Sequence, residues 1–462
     1  MSHVRIGALT IVGLAALLAI ASRAQLTRIQ PVGGSSHLGL LLTDIHLDPV
    51  TVNPRNPKFS DSDAIRLLEK TKIDDWPAQF AKFQKNIARP KSKPPVDANY
   101  PLVDAALKAA ADKTLVAGSF DYVVFTGDML RHDFPRADSQ EQALARNTAA
   151  FVVRELSRRF NVPVFAALGN NDSDSCDYGV KPNDQFLGAV AGEMTVLKAN
   201  TLESKAANAE FRKGGYFILP HPTVANQDIL VLNSNFWSKK YLIAYCGVPY
   251  TEAPGLDEMS WLDGKLRLAA QNHRGVTLVM HIPPGVDPYS SQPGSADSLF
   301  WTKKFNDMFA AEIAKYRPVI PIAFAGHSHL DDFRSFDKVP SVPWHIGLAV
   351  SPVFENNPGF STFSYDPKTA AITDITTFTA ASGSASFTRE YGFNDAYRVN
   401  GFSAANLDAI NSGLRTCKTN CADTTAFESY YMPGSSWGGT LKNIACSQKY
   451  FSAADVKECI SK

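Results

Sequence analysis

An α/β layered fold is what this sequence predicts, closed by a small helical, cysteine-bearing segment. Three observations predict it. Short apolar runs recur and each ends in a polar motif, helical patterns lie between them, and Cys417, Cys421, Cys446 and Cys459 gather near the C-terminus. Alternating strand and helix signals argue for layers packed on a sheet. Short unbroken apolar runs are what strands covered on both faces look like.

The first residues are expected to form a leader. Arg5 precedes an apolar run over 6–20, and Ser22-Arg23-Ala24 offers a cleavage site before Gln25. Such a run is short for a membrane span and fits a secretory signal over 1–24. The expected location is extracytoplasmic, in the periplasm or the medium, with no stable membrane span after cleavage.

The strand-like runs then follow at 38–42, 122–125, 162–168, 229–232, 276–280 and 319–324. They lead into Asp44, Gly127-Asp128, Gly169-Asn170, Asn233-Ser234-Asn235, His281 and Gly326-His327 respectively. Helical spacing occupies 102–113, 143–160, 259–270 and 302–316. From Trp344 shorter β-like pieces at 345–350, 361–365 and 372–378 extend the sheet content. The Ser/Gly/Ala-rich stretch 380–386 marks an expected division between a catalytic domain over 25–384 and a helical subdomain over 385–462. Residues 48–60 and 89–101, punctuated by prolines, read as loops beside the first motif.

Composition narrows the function classes. The chain has 462 residues, 45% of them hydrophobic and 20% charged, so a large core is available. A formal charge of +1 gives no basic excess of the kind a nucleic-acid partner requires. Six cysteines behind a leader suggest three disulfides. Many pairings are open to six cysteines; nearest neighbours would pair Cys417 with Cys421, Cys446 with Cys459 and Cys176 with Cys246. The lone N-x-S/T sequon, Asn171-Asp172-Ser173, falls inside a candidate metal motif and favours a bacterial exported protein.

The chemistry lies in five clusters. Asp44 and His46 alternate at a strand end, so both reach one ion. Asp128 follows a glycine that lets backbone crowd the site, and its two oxygens suit a bridge between cations. Asn170 offers an amide oxygen. His281 ends a strand stopped by Pro283-Pro284, and His327 and His329 repeat the alternate-residue arrangement. Mixed nitrogen and oxygen donors suit zinc, iron or manganese rather than calcium.

The series D-x-H, G-D, G-N, H, G-H-x-H resembles the calcineurin-like metallophosphoesterase superfamily. Leu-Thr-Asp-Ile-His-Leu-Asp-Pro at 42–49, His281-Ile282-Pro283-Pro284-Gly285 and the C-terminal C-x3-C and C-x12-C spacings resemble the acid sphingomyelinase-like phosphodiesterases within it. No counterpart of the saposin-like domain of true acid sphingomyelinases is expected ahead of the first strand. The resemblance implies two central mixed sheets flanked by helices. It implies one metal on Asp44, His46, Asp128 and His329, and a second on Asp128, Asn170, His281 and His327. The pair would be zinc, with iron or manganese as alternatives, and a hydroxide bridging the metals would attack phosphorus. It also implies that His132 protonates the leaving oxygen.

Four further roles are expected around that centre. Asp133, next to His132, orients it. Asn171 stands where the superfamily usually has histidine, and is expected to donate a hydrogen bond to phosphate. Arg131 adds charge toward a polyanion, and Asn235 lines the cleft. Gly-Asn-Asn-Asp with Arg131-His132-Asp133 resembles fungal endopolyphosphatases, so substrate choice stays open among a phosphoester small molecule, a lipid headgroup and polyphosphate. Phosphodiester hydrolysis is the leading reading. Polyphosphate or phosphomonoester cleavage at the same site, or a non-catalytic phosphate-ligand binder, is the alternative.

Overall fold

Leu38 to Leu42 carry four consecutive fully buried residues, a composition only an interior strand accommodates. In the computed structural model this run, β1 (Leu38–Leu42), lies inside a sheet of six strands. The structure describes residues 37–51, 60–84, 86, 96–242, 250–290, 293–295, 298–337, 342–381, 384–417, 421–435 and 440–462. The expected leader and Cys246 lie outside the described residues.

Along the chain β1 is followed by β2 (Leu47–Asp48), β3 (Ala98–Asn99), β4 (Tyr122–Phe125) and β5 (Val164–Ala166). Then come β6 (Phe217–Pro220), β7 (Gln227–Val231), β8 (Gly275–Val279) and β9 (Ala323–Ala325). The last are β10 (Asp332–Arg334), β11 (Trp344–Ile346), β12 (Gly359–Tyr365), β13 (Ile372–Ala380) and β14 (Phe387–Gly392).

One sheet runs β14-β13-β12-β1-β4-β5 and the other β10-β11-β9-β8-β7-β6, with β2 and β3 forming a small parallel pair. Both large sheets are mixed. β1, β4 and β5 are parallel while β12 meets β1 antiparallel, Leu38 opposite Ser364. β7, β8, β9 and β11 are parallel, and antiparallel β6 and β10 close the edges. Helices flank the sheets, among them Tyr100–Ala111, Ser139–Phe160, Ala253–Gln271 and Lys303–Tyr316. Among the described residues, no helix is long and apolar enough to cross a membrane.

Some boundaries differ from the sequence expectation for local reasons. The run 319–324 yields a strand only from Ala323, because Pro318 and Pro321 lack the N–H a ladder needs. Helices Asp61–Glu69, Gln185–Glu193 and Leu202–Gly214 were not expected, yet Ser60, Asp184 and Thr201 cap them through side-chain oxygens. One more strand, β14, follows the expected subdomain boundary at 385. β14 pairs with β13 inside the catalytic sheet, and helices begin at Phe393.

The final helices are stapled as nearest-neighbour pairing anticipates, by Cys417–Cys421 and Cys446–Cys459. Cys176 is also disulfide-bonded. Cys446 and Val456 pack with Val286 and Leu299, so the tail rests on the loop beyond His281. Fully buried Arg334 braces the same loop by donating to the carbonyls of Pro284 (3.0 Å) and Val286 (3.2 Å).

Candidate metal centre

Loops at the C-terminal ends of β1, β4, β5, β8 and β9 meet at the seam between the two sheets, where layered α/β folds place their sites. The Asp44 amide donates to the Gly127 carbonyl (2.9 Å) and the Gly326 amide to the His281 carbonyl (2.9 Å), tying the loops pairwise. The crossing is so close that side chains do not fit. A Cβ on Gly169 would stand 2.0 Å from Oδ1 of Asp128, and one on Gly127 (φ +102°) 2.5 Å from the Gly169 nitrogen. Gly169→Ala is therefore expected to displace the Asp128 carboxylate. Bound metal should fall by about half or more and turnover by roughly 10²-fold, read by elemental analysis and kinetics on folded protein.

The seven expected ligands converge. Nε2 of His46 lies 3.7 Å from Oδ1 of Asp44, 3.3 Å from Oδ2 of Asp128 and 3.0 Å from Nε2 of His329. Nε2 of His329 is 3.4 Å from Oδ1 of Asp44. On the other side, Nε2 of His281 is 3.2 Å from Oδ2 of Asp128 and 3.1 Å from Oδ1 of Asn170, and His327 joins Asp128 and His281 within 4.8 Å. Asp128 stands in both groups.

These contacts fit cations. Nδ1 of His46 faces the Leu130 carbonyl at 2.8 Å and Nδ1 of His281 faces the Thr126 carbonyl at 2.9 Å. Each Nδ1 must carry the proton, which aims the Nε2 lone pair inward. Lone pairs and carboxylate oxygens about 3 Å apart repel unless positive charge sits among them. Two donors on one tetrahedral zinc stand roughly 3.3 Å apart.

The negative charge gathered here is strong enough to hold protons at the positions that cations would take. Burial would pull the His46 and His281 rings down, but the carboxylates of Asp128 and Asp44 outweigh it and hold them up at about 10 and about 9. His327 and His329 are pushed down to about 3, chiefly by burial. Despite burial, the surrounding imidazoles keep Asp44 and Asp128 below the usual carboxylate range.

Backbone conformation adds strain. Asp44, His46, Asp128, His327 and His329 all have φ between 45° and 74°. Left-handed conformation costs a non-glycine residue roughly 1 kcal/mol, so the surrounding packing is holding these ligands in place.

Asp172, the last residue of Gly-Asn-Asn-Asp, is the keystone of that packing. Its carboxylate accepts from the amides of Asp128 (2.9 Å), Met129 (2.8 Å), Leu130 (3.2 Å) and Gly169 (2.8 Å). Burial and the neighbouring Asp128 charge push it up to about 6. Arg136 clamps the same loop through the carbonyls of Asn171 (2.7 Å) and Ser173 (2.8 Å).

The structure places four of the expected residues in other surroundings. Asp133 is exposed and does not hold His132. Asp97 does. It accepts from the His132 amide (2.8 Å) and faces Nδ1 at 3.1 Å, while the Ser351 hydroxyl donates to it at 2.8 Å. Burial would raise the Asp97 carboxyl, but these partners and the charges of His46 and His132 hold it down at about 2. Asn171 is fully buried beside Asp128. Its backbone and side-chain N–H groups hold the two oxygens of Asp128 at 2.8 and 3.0 Å. Asn235 is likewise buried and braces the Gly169 carbonyl (2.9 Å) rather than lining a cleft. Arg131 stands 3.7 Å from Asp48, which neutralises it.

His132 itself sits where the sequence puts it, 31% exposed and stacked on His46 at 4.1 Å between ring centroids. Phe354, 50% exposed, presents its edge to His329 and His132 at 4.6 and 5.6 Å.

A family model described as Calcineurin-like phosphoesterase matches residues 40–331, more than half of the chain. The chain belongs to this family. Its calcineurin-like relatives include "Sphingomyelinase phosphodiesterase D" of Dictyostelium discoideum, 28% identical over 63% of this chain and 64% of that one. "Acid sphingomyelinase-like phosphodiesterase 3b" of Homo sapiens is 25% identical over 72% of this chain and 73% of its own length. "Cyclic GMP-AMP phosphodiesterase SMPDL3A" of Bos taurus is 27% identical over 60% and 62% respectively. The alignment thus spans just under two thirds of the first and third relatives. In this calcineurin-like phosphoesterase the family match begins in β1 and ends just beyond His329, so it encloses every expected ligand.

Proposed function

We propose that this chain hydrolyses phosphodiester bonds at a centre built for two divalent cations. The observation that carries the reading is Asp128, one carboxylate shared by two converging donor sets, with the His132–Asp97 pair on the rim. One cation would be held by Asp44, His46, Asp128 and His329, the other by Asp128, Asn170, His281 and His327. The donor set suits zinc, with iron or manganese as alternatives. When bound, such a pair supplies an activated water and neutralises charge on the phosphoryl oxygens.

The chain's own residues do the rest. Asn171 and Asp172 fix the shared carboxylate and its loop. Asp97 accepts from Nδ1 of His132, and when both ring nitrogens carry protons Nε2 hands its own to the departing oxygen. The relatives' names favour diesters over monoesters. An extracytoplasmic location is part of the proposal. The two stapled pairs in the C-terminal helices support it, since disulfides persist where thiols are oxidised.

The test is turnover of bis-p-nitrophenyl phosphate, p-nitrophenyl phosphate, sphingomyelin and polyphosphate by zinc-, manganese- and iron-loaded protein. Diester cleavage is expected to vanish under chelation, return with metal, and exceed monoester cleavage about tenfold or more in kcat/KM. Metal-replete protein that cleaves no phosphoester would make the site a phosphate-ligand binder. Preference for the monoester would move the assignment to a phosphatase.

A further inference from the structure

The cations around the metal centre are mostly spent on neighbours. Arg131 faces Asp48 and Arg136 faces Asp177. Arg146 pairs with Asp174, and the Asp184 side chain accepts from the Leu187 amide at a helix start. Lys240 is different. It is exposed, and among the described residues its ammonium forms no ion pair with a carboxylate. Asp287 is the acid whose carboxyl feels its charge, and that carboxylate already accepts from the Tyr289 amide at 2.9 Å.

Its position is set by contacts. The Lys240 ammonium lies over the Tyr178 ring, 5.1 Å from its centroid, and its backbone amide donates to the Ser238 hydroxyl at 3.2 Å. The Tyr178 amide donates to the backbone carbonyl of Asn170 at 2.6 Å, so the platform under the lysine is joined to a ligand of the second cation. A second lysine continues the pattern. Lys181, three residues beyond Tyr178, lies 5.9 Å over the Tyr250 ring, and the Tyr250 hydroxyl donates to the Gly179 carbonyl at 3.3 Å. Each ammonium rides on an aromatic face that steers it while leaving its hydrogen-bond donors to solvent.

We infer that Lys240, continued by Lys181, is an anion-binding rim beside the second cation, selecting substrates that carry a further negative group next to the scissile phosphate. This rests on the phosphodiesterase reading above and narrows it. A polyphosphorylated or nucleotide-like substrate meets attraction at Lys240. A choline-bearing headgroup brings its own positive charge and meets repulsion there. His132, Asp97 and Phe354 stand on the other side of the centre, by His46 and His329, so the rim recognises the part of the substrate away from the departing oxygen.

Charge reversal tests it. Metal-loaded wild type, Lys240→Glu and Lys240→Arg are assayed on ATP and on p-nitrophenylphosphorylcholine, and tripolyphosphate binding to each is titrated calorimetrically. Lys240→Glu is expected to lower the ATP-to-choline-ester ratio of kcat/KM about tenfold or more and to weaken tripolyphosphate binding about tenfold. Lys240→Arg should hold both within roughly twofold. A misfolded variant lowers both substrates together and leaves their ratio, so the ratio reads charge and not folding. An unchanged ratio with unchanged tripolyphosphate affinity overturns the rim. If wild type cleaves neither substrate, the phosphodiesterase reading fails, and tripolyphosphate affinity still decides the role of Lys240.

Discussion

Replacing Asp128 by Asn is expected to empty both metal positions at once. One oxygen of this carboxylate stands 3.3 Å from the His46 donor and 3.2 Å from the His281 donor, so its loss reaches each set. The amide cannot settle into the same cradle. Asn171 points one N–H at each oxygen of Asp128, so whichever way the amide flips, its NH2 meets another donor. A buried donor left unpaired costs about 1–3 kcal/mol. Bound metal should drop to less than about half of the wild-type content, and diester turnover by on the order of 10³-fold or more, beyond the 10–100-fold typical of lost supporting contacts. Elemental analysis of folded protein beside kinetics checks this. Full metal content with slow turnover would show that Asp128 does not serve both positions.

Asp97→Asn is expected to slow the reaction without touching metal content. The carboxylate accepts three hydrogen bonds, from the His132 amide, the His132 ring and the Ser351 hydroxyl. An amide must turn its NH2 toward one of them. Facing the ring, it donates to Nδ1 and fixes the proton on Nε2 of a neutral imidazole, a far weaker acid than the imidazolium in which both ring nitrogens carry protons, so the leaving oxygen is protonated less readily. A misaligned acid costs roughly 10²–10⁴-fold where the leaving group is an alkoxide. A p-nitrophenolate departs as a stable anion, so its ester should slow less than about tenfold. His132→Ala should reproduce the contrast, and the double variant should add little, since the two side chains act as a unit. Equal slowing of alkyl and nitrophenyl esters would make the Asp97–His132 pair a structural brace.

How much of this was legible in the sequence follows from where the information sits. The convergence of the seven expected ligands was readable because each ends an apolar run, and β-strands convert alternate residues into one facing direction. Asp44 with His46 and His327 with His329 show that rule at work. Asp97 was not readable. It belongs to the proline-punctuated stretch 89–101, far from His132 in the chain, and only the fold brings it there, whereas Asp133 was favoured by adjacency alone. Asn171 and Asn235 were assigned to substrate because polar residues at strand ends so often face a cleft. Both are instead fully buried donors that hold the loops in register. The signal that separates them is local crowding: Gly169 and Gly127 mark a tight crossing of the loops next to Asn171. Short helices were missed for a different reason. Their apolar faces are small, and the caps at Ser60, Asp184 and Thr201 were the only strong marks they carried.

The order of strands in the first sheet has a consequence for the moment of synthesis. β1 carries Asp44 and His46 at its end, yet its antiparallel partner β12 lies near the far end of the polypeptide, Leu38 pairing with Ser364. The ribosome therefore releases the first two ligands long before the strand that completes their sheet, and the stapled tail that supports the His281 loop emerges later still. Contacts so distant along the chain form late. A growing chain therefore presents Asp44 and His46 before the strand that completes their sheet has been made.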